Sequence, residues 1–148
     1  KTDNAKKAVG QNVKIVMSPA SKAYLDMKYD STTTLGLNWA GFIEVDSGYI
    51  WNPATLINGV KKENILGVEC PLWTETVTNL DELEYLVFPR LLGYAEIGWT
   101  KQENRNWEDY KVRLGNQQAR LEALGINYYP SKLVPWTKPT ENGVKLKD

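Results

Sequence analysis

The sequence predicts an α/β chain that is part of a larger barrel and not a complete fold. Three observations carry this. Two short apolar runs rich in β-branched and aliphatic residues, 13–17 and 65–72, read as strands. Two helical patterns follow the second run, at about 80–96 and 107–124. Two strands do not make a stable parallel sheet, which needs strand neighbours and helical cover on both faces. At 148 residues the chain has room for one domain and is too short for two ordinary ones.

In order along the chain, residues 4–10 read as the tail of a helix ending at Gly10, a residue suited to a left-handed cap. The strand at 13–17 is stopped by Ser18-Pro19. Residues 18–60 read as a long loop on a strand end, interrupted by Gly48 and Pro53, with one short helix expected at 54–57. After the strand at 65–72, Asn79 is placed to cap a helix with Glu82 in capping-box position, and Leu80, Leu83, Leu86 and Val87 fall on one stripe. Pro89 lies inside that pattern and should kink or split it. The helix at 107–124 has Asn106 as its cap, Glu108 and Asp109 in its first turn and Gly125 past its end. Residues 127–148 hold three prolines and are expected to cover the core, with frayed last residues.

Composition excludes several chemistries. Lysine plus arginine equals aspartate plus glutamate, 18 each, so no net charge steers the chain to nucleic acid or an anionic surface. No apolar run has transmembrane length, so no membrane insertion is expected. With no histidine, a Ser-His or Cys-His nucleophile and a His-ligated zinc site are excluded within this chain, and acid/base work falls to carboxylates. The single cysteine, Cys70, cannot form an internal disulfide and sits in an apolar run, as a buried thiol would.

The stretch Cys70-Pro71-Leu72-Trp73-Thr74-Glu75 stands where the second strand meets its loop, the place where α/β proteins keep their chemistry. Trp73 and Glu75 are two residues apart, so in extended backbone they share a face. A flat apolar ring beside a carboxylate suits a sugar, whose C–H face stacks on indole while its hydroxyls donate to the acid. Tyr24 and Asp26 repeat that offset after the first strand. From the residues alone, a core aromatic with a solvated turn carboxylate would explain Trp73 and Glu75 equally well, and the other reading of Tyr24 and Asp26 is a loop tyrosine with a turn-forming aspartate. Trp51, Trp99, Trp107 and Trp136 read as structural, and Arg90 as a packing or ion-pairing residue.

Four words in order then resemble a known family: Ala23-Tyr24-Leu25-Asp26-Met27-Lys28-Tyr29, Gly36-Leu37-Asn38-Trp39-Ala40-Gly41, Pro71-Leu72-Trp73-Thr74-Glu75 and Phe88-Pro89-Arg90-Leu91-Leu92-Gly93-Tyr94-Ala95-Glu96. Together they resemble the C-terminal part of the catalytic domain of family 20 glycoside hydrolases, the β-N-acetylhexosaminidases. The likeness covers roughly residues 10 to 100 and is strongest to bacterial surface or secreted enzymes. It implies a (β/α)8 barrel of which this chain holds the last two strands and the helices after them. It also implies retaining, substrate-assisted hydrolysis of terminal β-linked N-acetylglucosamine or N-acetylgalactosamine from glycans. By resemblance, Tyr24 aims the acetamido group, Asp26 and Trp39 hold the 6-hydroxyl side, Trp73 walls the acetamide pocket, and Glu75 accepts from the hydroxyls at positions 4 and 6. No metal or organic cofactor is implied, and an extracellular or bacterial-surface location is expected.

The family's adjacent Asp-Glu catalytic pair is absent. The adjacent acidic pairs here, Asp81-Glu82 and Glu108-Asp109, fall in first turns of predicted helices, where anions stabilise the dipole. The remaining N-terminal part of the barrel is therefore the expected partner and source of the acid, and the chain alone should be catalytically incompetent. Two other readings remain at this point: a carbohydrate-binding protein that kept the aromatic wall and lost the acid, and a helical interaction module whose tryptophans are all core.

Overall fold

The computed structural model describes residues 2–138. Helix α1, Thr2–Gly10, leads to strand β1, Ile15–Met17, and a one-turn helix α2, Ala20–Ala23. A long excursion holds helix α3, Val45–Tyr49, and returns to strand β2, Ile65–Val68. Helices α4, Leu80–Val87, α5, Arg90–Trp99, α6, Trp107–Gly115, and α7, Gln118–Ala123, complete the order. The two strands pair in parallel, Ile15 with Ile65 and Met17 with Val68, with an irregularity in register after Ile15. Met17 is buried with Leu25, Trp51, Tyr94 and Ile97. Val16 and Leu66 remain exposed, which leaves apolar side chains of the two-stranded sheet without cover in this chain.

Both strands are shorter than expected, because with one partner each the ladder lasts only where the two overlap. The left-handed residue after α1 is Asn12, φ 61°, and not Gly10. Asparagine tolerates that conformation through local hydrogen bonding by its short polar side chain. No helix forms at 54–57. Asn52 holds a turn there instead, its side-chain oxygen accepting from Ala54 N at 2.9 Å and its carbonyl from Leu56 N at 3.1 Å. The expected irregular loop also contains α2 and α3, which are too short to show a helical period.

The pattern at 80–96 is split at Pro89, as its missing N–H requires. The Phe88-Pro89 bond is cis. Asn79 caps α4 by accepting from Glu82 N at 3.0 Å, whereas the Glu82 carboxylate reaches one residue further back than a capping box and accepts from Thr78 N and its hydroxyl. Asn106 caps α6 in the same way through Asp109 N. The helix expected over 107–124 breaks after Gly115, which corrects the single helix read there. The chain at Pro135 runs against that glycine so closely that a Cβ would lie 2.3 Å from the Pro135 carbonyl oxygen. After the break the buried Gln118 side chain accepts from Lys138 N and the Thr137 hydroxyl, which ties the covering segment to α7. The expectation about frayed last residues falls at 139–148, outside the described residues.

The second core is built largely from tyrosines: Tyr29, Tyr49, Tyr85, Tyr110 and Tyr129 pack with Leu86 and Leu114. Tyr29 stacks on Tyr129 with centroids 3.9 Å apart, and Tyr49 on Tyr110 at 4.1 Å. Glu96 of α5 joins this core to α6, accepting from the Tyr49 hydroxyl at 2.7 Å and from both terminal nitrogens of Arg113. Among the described residues no helix is long and apolar enough to cross a membrane.

Two outcomes follow for the whole polypeptide. Gly115→Ala should lower stability by about 1–3 kcal/mol, seen as a lower urea midpoint with an unchanged slope, because the segment at Pro135 must move. Hydrogen bonds from Arg113 hold the Glu96 carboxyl below its ordinary value. The ionised form is thus favoured on folding, so its contribution is complete above the unfolded pKa of about 4.5 and is lost as pH falls through the lower folded value. Urea midpoints measured from pH 7 to pH 3 should decline less steeply for Glu96→Gln than for the wild type.

Candidate functional site

β2 ends at Val68, and the chain runs on through Cys70 and Pro71 to Trp73. There it meets the segment leaving α2, through a bond from Leu25 N to the Pro71 carbonyl at 2.8 Å. Tyr24 follows α2 directly in extended conformation. Its preceding turn is held by the Tyr94 hydroxyl, which donates to the Lys22 carbonyl. The Tyr24 ring lies 6.5 Å from Trp73 and 6.0 Å, edge to face, from Trp39. Both indoles are more than half exposed, so three aromatic rings form an open wall at the strand ends.

Trp39 reaches that wall through tight backbone packing. Leu37 N donates to the Asp26 carbonyl at 2.8 Å and Lys28 N to the Leu37 carbonyl at 2.7 Å, pairing the two segments. Gly36, at φ 97°, is required there because a Cβ would sit 2.8 Å from the Asp26 carbonyl oxygen. Asp26 itself is 1% exposed, and neither carboxylate oxygen has a hydrogen-bond partner among the described residues. Burial pushes its carboxyl up and the charge of Glu75 adds to the rise, opposed by the nearby amides of Asp26 and Trp73, which stop short of hydrogen-bond geometry, and by the charge of Arg90. Glu75 lies in the turn after Trp73 and is exposed. An unpartnered buried acceptor beside an open aromatic wall is suited to a ligand's hydroxyl groups.

All five sequence-predicted positions, Tyr24, Asp26, Trp39, Trp73 and Glu75, thus fall in one neighbourhood, although the reasoning from alternate residues does not survive intact. Leu25 and Asp26 form a turn, and Glu75 begins another, so neither pair lies in regular strand. Cys70 is half-buried, and burial raises its thiol pKa, which keeps it protonated. Asp81, Glu82, Glu108 and Asp109 all sit in first turns of α4 and α6, as the helix-dipole argument expects. Trp51 and Trp107 pack in the two cores. Trp99 does not: it is 92% exposed at the end of α5. It lines a cavity of about 450 Å³ with Ile65, Leu66, Val68 and Arg105. That cavity contains none of the five site residues and follows the uncovered side of β2, so the aromatic wall is the better candidate site.

Arg90 is the residue whose importance sequence reasoning missed. It is 2% exposed and pairs with no carboxylate among the described residues. Its guanidinium donates instead to the carbonyls of Leu25, Met27, Ile43 and Leu86 and stacks 3.9 Å from the Tyr29 ring centroid. One signal was present: Leu86, Val87, Gly93 and Tyr94, three and four residues away, are all uncharged, so no helical ion pair could explain it.

Known proteins resemble this chain in sequence and in backbone. The model of glycosyl hydrolase family 20, catalytic domain, matches residues 1–102. A β-N-acetylhexosaminidase of Cellulomonas fimi is 46% identical over 125 residues, which is 84% of this chain and 25% of that protein. The solved N-acetyl-β-hexosaminidase of Streptomyces plicatus, in complex with thio-NAglucal, superposes with a TM-score of 0.89 at 46% identity, covering 92% of this chain and 27% of that one. The exo-β-N-acetylglucosaminidase of Vibrio harveyi, in complex with N-acetylglucosamine, does so at 0.78 and 30%, covering 87% and 21%. The chain thus spans about a quarter of the length of the curated relative and of the S. plicatus enzyme. Matched in sequence over most of its length and in backbone over nearly all of it, the chain belongs to glycosyl hydrolase family 20, as an α/β portion of the family's (β/α)8 catalytic barrel.

Proposed function

We propose that the whole polypeptide hydrolyses terminal β-linked N-acetylhexosamine from glycans with retention, and that this portion supplies the sugar-binding wall. The observation that carries the reading is the buried, unpartnered Asp26 carboxylate set among Tyr24, Trp39 and Trp73. A solved variant of the S. plicatus enzyme in complex with its product N-acetylglucosamine, at 46% identity, supports the substrate class.

In this reading the substrate's own acetamido oxygen attacks the anomeric carbon while the bond to the leaving oxygen breaks. An acid outside this chain, in the remaining N-terminal part of the barrel, protonates that oxygen. Water then attacks the same carbon and restores the acetamide, which gives net retention. The Tyr24 hydroxyl donates to the acetamido oxygen and aims it, and Trp73 walls its methyl side. Asp26 and Glu75 accept from the 6- and 4-hydroxyls, with Trp39 against the 6-hydroxyl side. Positioning of this kind accelerates the reaction by holding a near-attack geometry. A place outside the cell or on a bacterial surface belongs to the same proposal, and fractionation of the source cells would test it.

An aryl β-N-acetylglucosaminide assay tests the reading: the whole polypeptide should release the aryl group, and residues 1–148 alone should not. No release by the whole polypeptide, together with measurable affinity for N-acetylglucosamine, would replace it with the carbohydrate-binding reading. Within the active enzyme, Tyr24→Phe should lower kcat by about 10²-fold with little change in KM, as loss of one donor to a developing charge does. Glu75→Gln should lower kcat/KM by about 10- to 100-fold, mostly through KM, as expected for one hydrogen bond to a charged acceptor.

A further inference from the structure

We infer that Arg90 is a positioning residue for the sugar wall, its guanidinium clamping the carbonyls on either side of Asp26 and so aiming that carboxylate at the 6-hydroxyl side of the sugar. The inference rests on the reading of Asp26 given above. The Asp26 carboxylate has no hydrogen-bond partner of its own among the described residues, so its direction is set by its backbone. That backbone is fixed at three adjacent carbonyls. Leu25 O accepts from an Arg90 terminal nitrogen at 2.6 Å, Asp26 O from Leu37 N at 2.8 Å, and Met27 O from the other terminal nitrogen at 2.8 Å. The same guanidinium holds Ile43 O at 3.0 Å, where the segment carrying Trp39 returns, and Leu86 O at 2.7 Å at the end of α4.

Each end of the segment 25–43, which carries Asp26 and Trp39, is therefore fastened to one side chain at the start of α5. The arrangement needs arginine. A guanidinium offers five N–H donors in a fixed plane, and here Nε and both terminal nitrogens are all engaged. A lysine ammonium presents three donors at one point and cannot span carbonyls this far apart. The Tyr29 ring under the guanidinium fixes its plane, and the Tyr29 hydroxyl is itself held by the carbonyls of Tyr85, Leu86 and Phe88.

The test compares whole wild-type enzyme with its Arg90→Lys variant on two substrates, an aryl β-N-acetylglucosaminide and the 6-deoxy analogue. The wild type should prefer the 6-hydroxylated substrate by about 10-fold or more in kcat/KM, as one hydrogen bond to a charged acceptor implies. In Arg90→Lys that preference should shrink to about threefold or less, with the loss on the parent substrate falling more on KM than on kcat. Retention of the full preference, even at reduced rates on both substrates, would overturn the inference, since a purely structural role lowers both alike. A wild type that cleaves both substrates equally would overturn it together with the role of Asp26, leaving the hydrolase reading intact; a wild type that cleaves neither overturns the hydrolase reading as well. Should Arg90→Lys not fold, hydrogen exchange on the wild type decides. The amides of Lys28, Leu37 and Ile43 should be protected as strongly as those of α5, and exchange several orders of magnitude faster would overturn the clamp.

Discussion

One buried cation holds this portion of the barrel together. Arg90 lies at the point where a helix pattern is broken by proline, and its guanidinium is compensated by backbone dipoles and an aromatic face, with no salt bridge to a carboxylate among the described residues. A buried charge without partners would be untenable, so every N–H must find an acceptor. The acceptors it finds belong to the segment after α2, to Ile43 just before α3, and to α4. The cost of desolvating the guanidinium thus becomes a constraint on where three separate stretches of chain can lie. Leu86 O, which also accepts from the Tyr29 hydroxyl, shows how closely the cation and the tyrosine core share their supports.

Around that point the packing is aromatic rather than aliphatic. Tyrosines give the second core large apolar area together with hydroxyls that need partners when buried. Tyrosine hydroxyls bridge between elements in both cores: Tyr29 to α4 and Tyr49 to Glu96 in the second, and Tyr94 to the Lys22 carbonyl in the first. The segment after α7 closes this core by inserting Tyr129 and Val134. Ser131 donates to the half-buried Glu44 carboxylate, whose other oxygen caps α3 through Val45 N. Residues beyond the family match at 1–102 are thereby fastened to the excursion that bears Trp39, so the helices α6 and α7 and their tail support the same body as the site.

The site itself divides rigid from open parts. Asp26 and the backbone on each side of it are buried and pinned, whereas Trp39, Trp73 and Glu75 are exposed. That division suits a wall built to receive a polar ring. An acceptor held without a partner keeps its lone pairs for a ligand, and exposed indoles keep their faces for stacking. The uncovered side of β2, with Leu66 and Trp99 exposed, lies away from this wall and fits a chain that spans about a quarter of the family's solved structures.

The residues alone determined what depends on near neighbours. Asn79 and Asn106 cap their helices, Pro89 divides the pattern at 80–96, Gly125 takes a left-handed φ of 70° after α7, and the acidic pairs serve helix first turns. These signals act within about four residues, through backbone hydrogen bonds and φ restrictions that the sequence states directly. The family words also carried the five wall residues. Tertiary structure decided the rest, because its causes are distant in sequence. Arg90 reaches carbonyls 47 and 65 residues away. The pattern at 107–124 breaks after Gly115, where Pro135 packs too closely for a side chain, and α2 and α3 form inside a stretch with no helical period. Tyr24 meets Trp39 and Trp73 through backbone pairing at Gly36-Leu37 and Pro71, not through alternation along a strand. Periodicity can state which face a residue takes on its own element; which elements then share one guanidinium is fixed only when the chain closes around it.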